Sequence, residues 1–202
     1  SDSGSLAMVR VTILALFIAV PVTAADWPQF LGPERNGVYA GPDLNEKWAP
    51  SGPRVVWRKQ VGEGLSGPVV AQNRLILFHR VSDREVVDSF DAMTGAAQWR
   101  HAYPTTYRDD FGFDEGPRAV PVVSDGVVYT FGAEGRLHAV DLATGKPLWS
   151  SDTMRQFGVT KGFFGAAGSP IVEGGRLIAN VGGKNAGVVA FDAKTGRVLW
   201  TA

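Results

Sequence analysis

"FDAKTGRVLW", residues 191–200, is the third use of one phrase, after "FDAMTGAAQW" at 90–99 and "VDLATGKPLW" at 140–149. Asp91, Asp141 and Asp192 stand 50 and 51 residues apart, and each lies eight residues before its tryptophan, Trp99, Trp149 or Trp200. The copies also match upstream, where "SGPVVAQNRLILFHR", "AVPVVSDGVVYTFGAEGRLHAV" and "GSPIVEGGRLIANVGGKNAGVVA" place Pro68, Pro121 and Pro170 at equivalent starts. A period near 50 residues belongs to stacked or radial repeats, in which each unit buries its apolar faces only against its neighbours.

Within a unit, a proline opens a short apolar strand, and a Gly/Asn/Asp turn such as Ser124-Asp125-Gly126 leads to an apolar run such as Val127 to Phe131. A third strand ends in the aspartate, and a fourth, after the Thr-Gly turn, carries the tryptophan. No stretch has helix-length periodicity. A strand apolar on consecutive residues is buried on both faces. Four-stranded units covered on both sides by like units are β-propeller blades, so the expected fold is an all-β propeller of about three blades.

The phrase has a mechanical reading. The aspartate accepts hydrogen bonds from backbone N–H groups two or three residues on, and the glycine after the threonine supplies the positive φ that joins the last two strands. Asp91, Thr94, Gly95 and Trp99, then Asp141, Thr144, Gly145 and Trp149, then Asp192, Thr195, Gly196 and Trp200 are therefore read as structural. Each tryptophan is expected to wedge between blades, burying roughly 150–250 Å².

With this spacing "DAxTGxxxW" resembles the repeat of pyrroloquinoline-quinone (PQQ)-type propellers, a family that includes quinoprotein alcohol dehydrogenases and the assembly factor BamB. The resemblance runs from about Val55 to the end of the chain. It speaks for the fold, and activity has to be argued from the site. There are 25 glycines, 12 prolines and no cysteines, with a formal net charge of zero. No basic stripe points to nucleic acid, and disulfides and thiolate metal sites are excluded. The adjacent cysteines of many quinoprotein alcohol dehydrogenases are excluded with them.

Residues 1–24 read as upstream sequence and an export signal: Met8, Arg10, an apolar core from Val11 to Val20 too short to span a bilayer, and Val22-Thr23-Ala24 before a cleavage expected after Ala24. The protein is accordingly expected in the periplasm or outside the cell. Lipid anchoring of the BamB kind is not expected, because no cysteine follows the signal. Residues 25–53 form an extended leader expected to pack across the outside of the ring, and residues 54–202 carry the blades. "RVVWRKQV", 54–61, holds Trp57 without a preceding Asp-x-x-Thr-Gly, as a ring-closing outer strand would. Typical rings have about 4–8 blades. The expectation is therefore an incomplete ring, the N-terminal part of a longer propeller, whose open flanks meet further blades or self-associate.

Two loops exceed what the fold needs, "HAYPTTYRDDFGFDEGPR" at 101–118 and "SDTMRQFGVTKGFFGAAGS" at 151–169. Both join an outer strand to the next inner strand, so both should project from one face, where a rigid scaffold presents binding residues. The carboxylates of the first lack the spacing of a dedicated calcium loop. His79, His101 and His138 show no metal-ligand spacing to one another, so no metal site is assigned. No catalytic set is assigned either. Arg118 and Lys161, near the inner strands, are the candidate ligand contacts. The leading expectation is an exported, non-catalytic, BamB-like scaffold without a cofactor, binding protein or peptide partners through loops and blade edges. The alternative is the N-terminal part of a quinoprotein dehydrogenase that holds PQQ and calcium.

Overall fold

The computed structural model describes residues 26–41 and 47–202. The expected signal and its cleavage site lie outside the described residues. Three four-stranded antiparallel sheets follow one another along the chain. Blade 1 is β1 (Val69–Ala71), β2 (Arg74–Val81), β3 (Arg84–Asp91) and β4 (Ala97–Pro104). Blade 2 is β5 (Val122–Ser124), β6 (Val127–Phe131), β7 (Arg136–Asp141) and β8 (Pro147–Asp152). Blade 3 is β9 (Ile171–Glu173), β10 (Arg176–Gly183), β11 (Ala186–Asp192) and β12 (Val198–Thr201). Among the described residues one single-turn helix, α1 (Thr153–Phe157), interrupts the strands. This is a β-propeller arrangement, in which the first strands lie inside and β5 touches both β1 and β9.

The core lies between blades, which explains the uninterrupted apolar strands. Along β6 and β7, Val128 and Val140 pack towards Val69, Ile76, Phe78 and Val87 of blade 1. Tyr129, Phe131, Leu137 and Ala139 pack towards Leu177, Val189 and Phe191 of blade 3. The turn after each inner strand places two residues at positive φ, Gln72-Asn73, Asp125-Gly126 and Gly174-Gly175, the twist that tight hairpins require.

The repeated phrase locks each blade to the one before it. Asp141 Oδ1 accepts from Thr144 N at 2.8 Å and from Thr144 Oγ1 at 2.6 Å; Asp91 and Asp192 accept from Thr94 and Thr195 in the same way. Gly145 has φ of 70°, and a Cβ there would fall 2.6 Å from the Trp99 ring of the preceding blade. The indole N–H of Trp99 donates to Leu142 O at 2.8 Å. Trp149 repeats this on Gly196 and Ala193 O, and Trp57 repeats it on Gly95 and Ala92 O. Residues 54–61, expected as an outer strand, form no ladder among the described residues, yet Trp57 still occupies the place of a preceding blade's tryptophan.

The leader departs from expectation. Trp27 forms an antiparallel bridge with Val70 of β1, Pro28 O accepts from Val123 N of β5 at 2.8 Å, and Arg35 donates to Val172 O of β9 at 2.7 Å. It thus runs along the inner strands of all three blades, where unpaired strand edges offer hydrogen bonds that the outside of the ring does not. Asp26 accepts from Gln72 N of the β1–β2 turn, which puts the leader on the Thr-Gly-turn side and leaves the opposite face to the long loops.

Candidate functional site

The long loops start from anchored threonines. Thr105 N donates to Asp83 O, and the Thr105 and Thr106 hydroxyls both donate to the Glu134 carboxylate in the β6–β7 turn, at 2.8 and 2.7 Å. Those bonds hold the Glu134 carboxyl below its ordinary range against the opposing effect of burial, which is the largest single influence on it. Thr153 opens the second loop by donating its N–H and hydroxyl to Gly135 O. One turn of helix follows, capped by Asp152 in front and by left-handed Gly158 behind.

Arg118 and Lys161 are brought to the same place, both against the Tyr107 ring. The Arg118 guanidinium lies 5.3 Å from the Tyr107 ring centroid, and the Lys161 ammonium lies 5.2 Å from it. Neither cation is unpaired. Arg118 donates to Asp109 Oδ1 at 3.2 Å and to the carbonyls of Asp114 and Gly116. Lys161 pairs with Asp110 across 51 positions of sequence. The remaining acids of the first loop are engaged as well. Asp114 accepts from Gly116 N and Gly64 N, and Glu115 pairs with Arg80 and Arg108. The four carboxylates thus share no partner among these contacts. Among the described residues no three His, Cys, Asp or Glu side chains gather as a metal centre would require. The acids of the first loop are thus spent on protein partners, and Arg118 and Lys161 are each paired with one of them.

What the loops present outwards is apolar. Phe111 and Phe113 from the first loop and Phe163 and Phe164 from the second are 56%, 77%, 69% and 49% exposed. Phe111 lies 5.8–5.9 Å, centroid to centroid, from the other three. Arg118 reaches beneath Phe164 at 5.7 Å. Exposed apolar side chains gathered in one place mark interaction surfaces, whereas single ones do not.

A second polar group sits between blades 1 and 2. Glu85, 1% exposed, accepts from Ala133 N at 2.8 Å, while its Oε2, Tyr103 Oη and Thr130 Oγ1 have no hydrogen-bond partner among the described residues. Burial pushes the Glu85 carboxyl up, and it pushes the Tyr103 phenol well up. His101 and His138 meet on the same seam at 3.2 Å. Sequence spacing shows none of this group. The available signal is departure from the repeat: measured from the tryptophan and the aspartate, His101 corresponds to Ser151 in blade 2, and His138 to Val189 in blade 3.

Comparison with known proteins places this geometry. The family model described as outer membrane protein assembly factor BamB matches residues 82–202, more than half of the chain. The chain belongs to this family. BamB of Burkholderia pseudomallei is 30% identical over 184 residues, covering 84% of this chain and 41% of the relative. A quinohemoprotein alcohol dehydrogenase of Pseudomonas putida, ADH-IIG, is 34% identical over 122 residues, covering 57% of this chain and 16% of the enzyme. Among solved structures, the quinohemoprotein alcohol dehydrogenase of Comamonas testosteroni aligns with 91% of this chain and 28% of its own at a TM-score of 0.60 and 27% identity. The chain therefore spans well under half the length of these BamB and dehydrogenase relatives. Among the described residues no helix is long and apolar enough to cross a membrane.

Proposed function

We propose that this BamB-family chain is an exported, non-catalytic β-propeller scaffold that binds a protein or peptide partner through its loop face. The observation that carries the reading is the patch of Phe111, Phe113, Phe163 and Phe164, drawn from both long loops and exposed over a base whose charges are satisfied internally. Aromatic side chains bring large contact area at small entropic cost, as interface anchors do. Arg118 and Lys161 act in this reading as supports beneath the patch, and the periplasm is the compartment in which it works.

A photo-crosslinking residue at Phe113 or Phe163, compared with one at Met93 on the opposite face, tests the reading in exporting cells. Discrete adducts from the loop positions alone support it; equal adducts from all three positions contradict it.

The second reading, the N-terminal part of a PQQ- and calcium-dependent quinoprotein dehydrogenase, has the likeness to the Comamonas enzyme in its favour. Stoichiometric tryptophan quenching by PQQ, together with dye-coupled turnover of primary alcohols, would establish it in place of the scaffold.

A further inference from the structure

Beside the phenylalanine patch lies a cleft of about 500 Å³, walled by both long loops and the start of β7. Arg108, Arg136, Arg155 and Lys161 line it, against Glu134 and Asp152 alone. The whole chain has a formal net charge of zero, so this excess of positive charge is local. The acids nearby leave it standing. Glu134 spends its oxygens on Thr105 and Thr106, and Asp152 reaches Arg136 only at 3.7 Å. Glu115 is shared between Arg108 and the buried Arg80, so one carboxylate serves two cations. Arg155 is exposed and makes no ion pair among the described residues.

The cleft runs into the patch. Lys161, on its wall, pairs with Asp110, the residue before Phe111, and itself precedes Phe163 by two positions. The same two loops therefore hold the cations on one side and the phenylalanines on the other.

Resting on the loop-face scaffold reading, we propose that the partner is an extended acidic peptide segment. Its apolar side chains lie on Phe111 and Phe163, and its Asp or Glu carboxylates enter the cleft, where Arg136 and Arg155 receive them. A guanidinium offers parallel N–H donors that match a carboxylate, and the long, exposed Arg136–Asp152 contact is of a kind worth little, so the incoming group displaces it easily. A flat anionic surface fits less well. It would meet Asp110, Asp114 and Glu115, which flank Phe111 and Phe113, as like charges, whereas a single side chain enters the cleft without facing them.

The test pans the full chain against a phage-displayed library of random peptides, then titrates synthetic copies of the selected peptides by fluorescence anisotropy. Asp and Glu should be enriched next to apolar residues in the selected set. Affinity should fall about tenfold in Arg136→Gln/Arg155→Gln at an unchanged melting temperature, and should also fall as salt rises, since these charges are exposed. Copies with Lys in place of Asp and Glu should prefer Arg136→Glu/Arg155→Glu to the unsubstituted chain, a reversal that a merely structural role of the arginines would not produce. Selected peptides without acidic enrichment, or with equal affinity for the folded arginine variant, would overturn the cleft assignment; if they still lose affinity in Phe111→Ser/Phe163→Ser, the scaffold reading stands without it. Selection of no peptide at all would overturn both. Tighter binding to phosphatidylglycerol vesicles than to any selected peptide would overturn the peptide in favour of an anionic membrane surface.

Discussion

Trp99 rests its ring on Gly145 and its indole N–H on Leu142 O, so one side chain reads both the shape and the polarity of the next blade's turn. The glycine is fixed twice, by a φ of 70° and by the ring 2.6 Å from where a Cβ would stand. Gly145→Ala should therefore cost about 2–4 kcal/mol in urea denaturation, combining left-handed strain with overpacking. Ala143→Val, at an exposed position in the same turn, should stay within about 0.5 kcal/mol. Trp149, seated on Gly196, and Trp200, 42% exposed with no turn against it among the described residues, give a matched pair. Trp149→Ala should lose about 3 kcal/mol and Trp200→Ala about 1 kcal/mol or less. Equal losses from that pair would mean that the tryptophan contributes through its own strand and not through the neighbouring blade.

At the scale of elements, the long loops are held by buried charge. Asp109 has no side-chain exposure and meets Arg118, which is 9% exposed. Removing one member leaves the other charged and buried, so Arg118→Ala should destabilise by about 3–5 kcal/mol, and adding Asp109→Ala should recover part of the loss. Chemical denaturation of the two variants measures the difference. On the blade seam, burial raises the Glu85 carboxyl, opposed by the Ala133 N–H and the charge of Arg80 and reinforced by Glu134. Its folded pKa therefore lies above its unfolded one. The stability it allows is complete below the ordinary glutamate value and is lost as pH rises through the raised folded value. Glu85→Gln should flatten the fall in melting temperature between mildly acidic and neutral pH, and an unchanged slope would assign that fall to other groups. Both loops were legible in sequence as departures from the repeat length. The spending of Arg118 and Lys161 on Asp109 and Asp110 was not, because Lys161 and Asp110 are 51 positions apart and only the folded blades bring them together.

Across the whole molecule, blade order followed from the spacing of Asp91, Asp141 and Asp192, since a fixed offset between turn and tryptophan leaves one way to stack the units. The course of the leader did not follow, because its partners are backbone edges of β1, β5 and β9, which carry no side-chain signature. Deleting residues 26–37 should speed hydrogen exchange at Val70 and Val123, whose N–H groups donate to Trp27 O and Pro28 O, and leave Val87 protected inside blade 1. The aromatic patch was half legible: its phenylalanines stood in two separate loops, and only their shared face makes them one surface. That surface is the centre of the functional account, and its most direct test is the affinity of a partner recovered by crosslinking at Phe113. Affinity should be compared between the unsubstituted protein and the Phe111→Ser/Phe163→Ser variant, with melting temperatures measured alongside. The account predicts binding weakened by about 2 kcal/mol or more, roughly thirtyfold, at a nearly unchanged melting temperature, because both side chains are exposed. Equal affinity in the two proteins would contradict it.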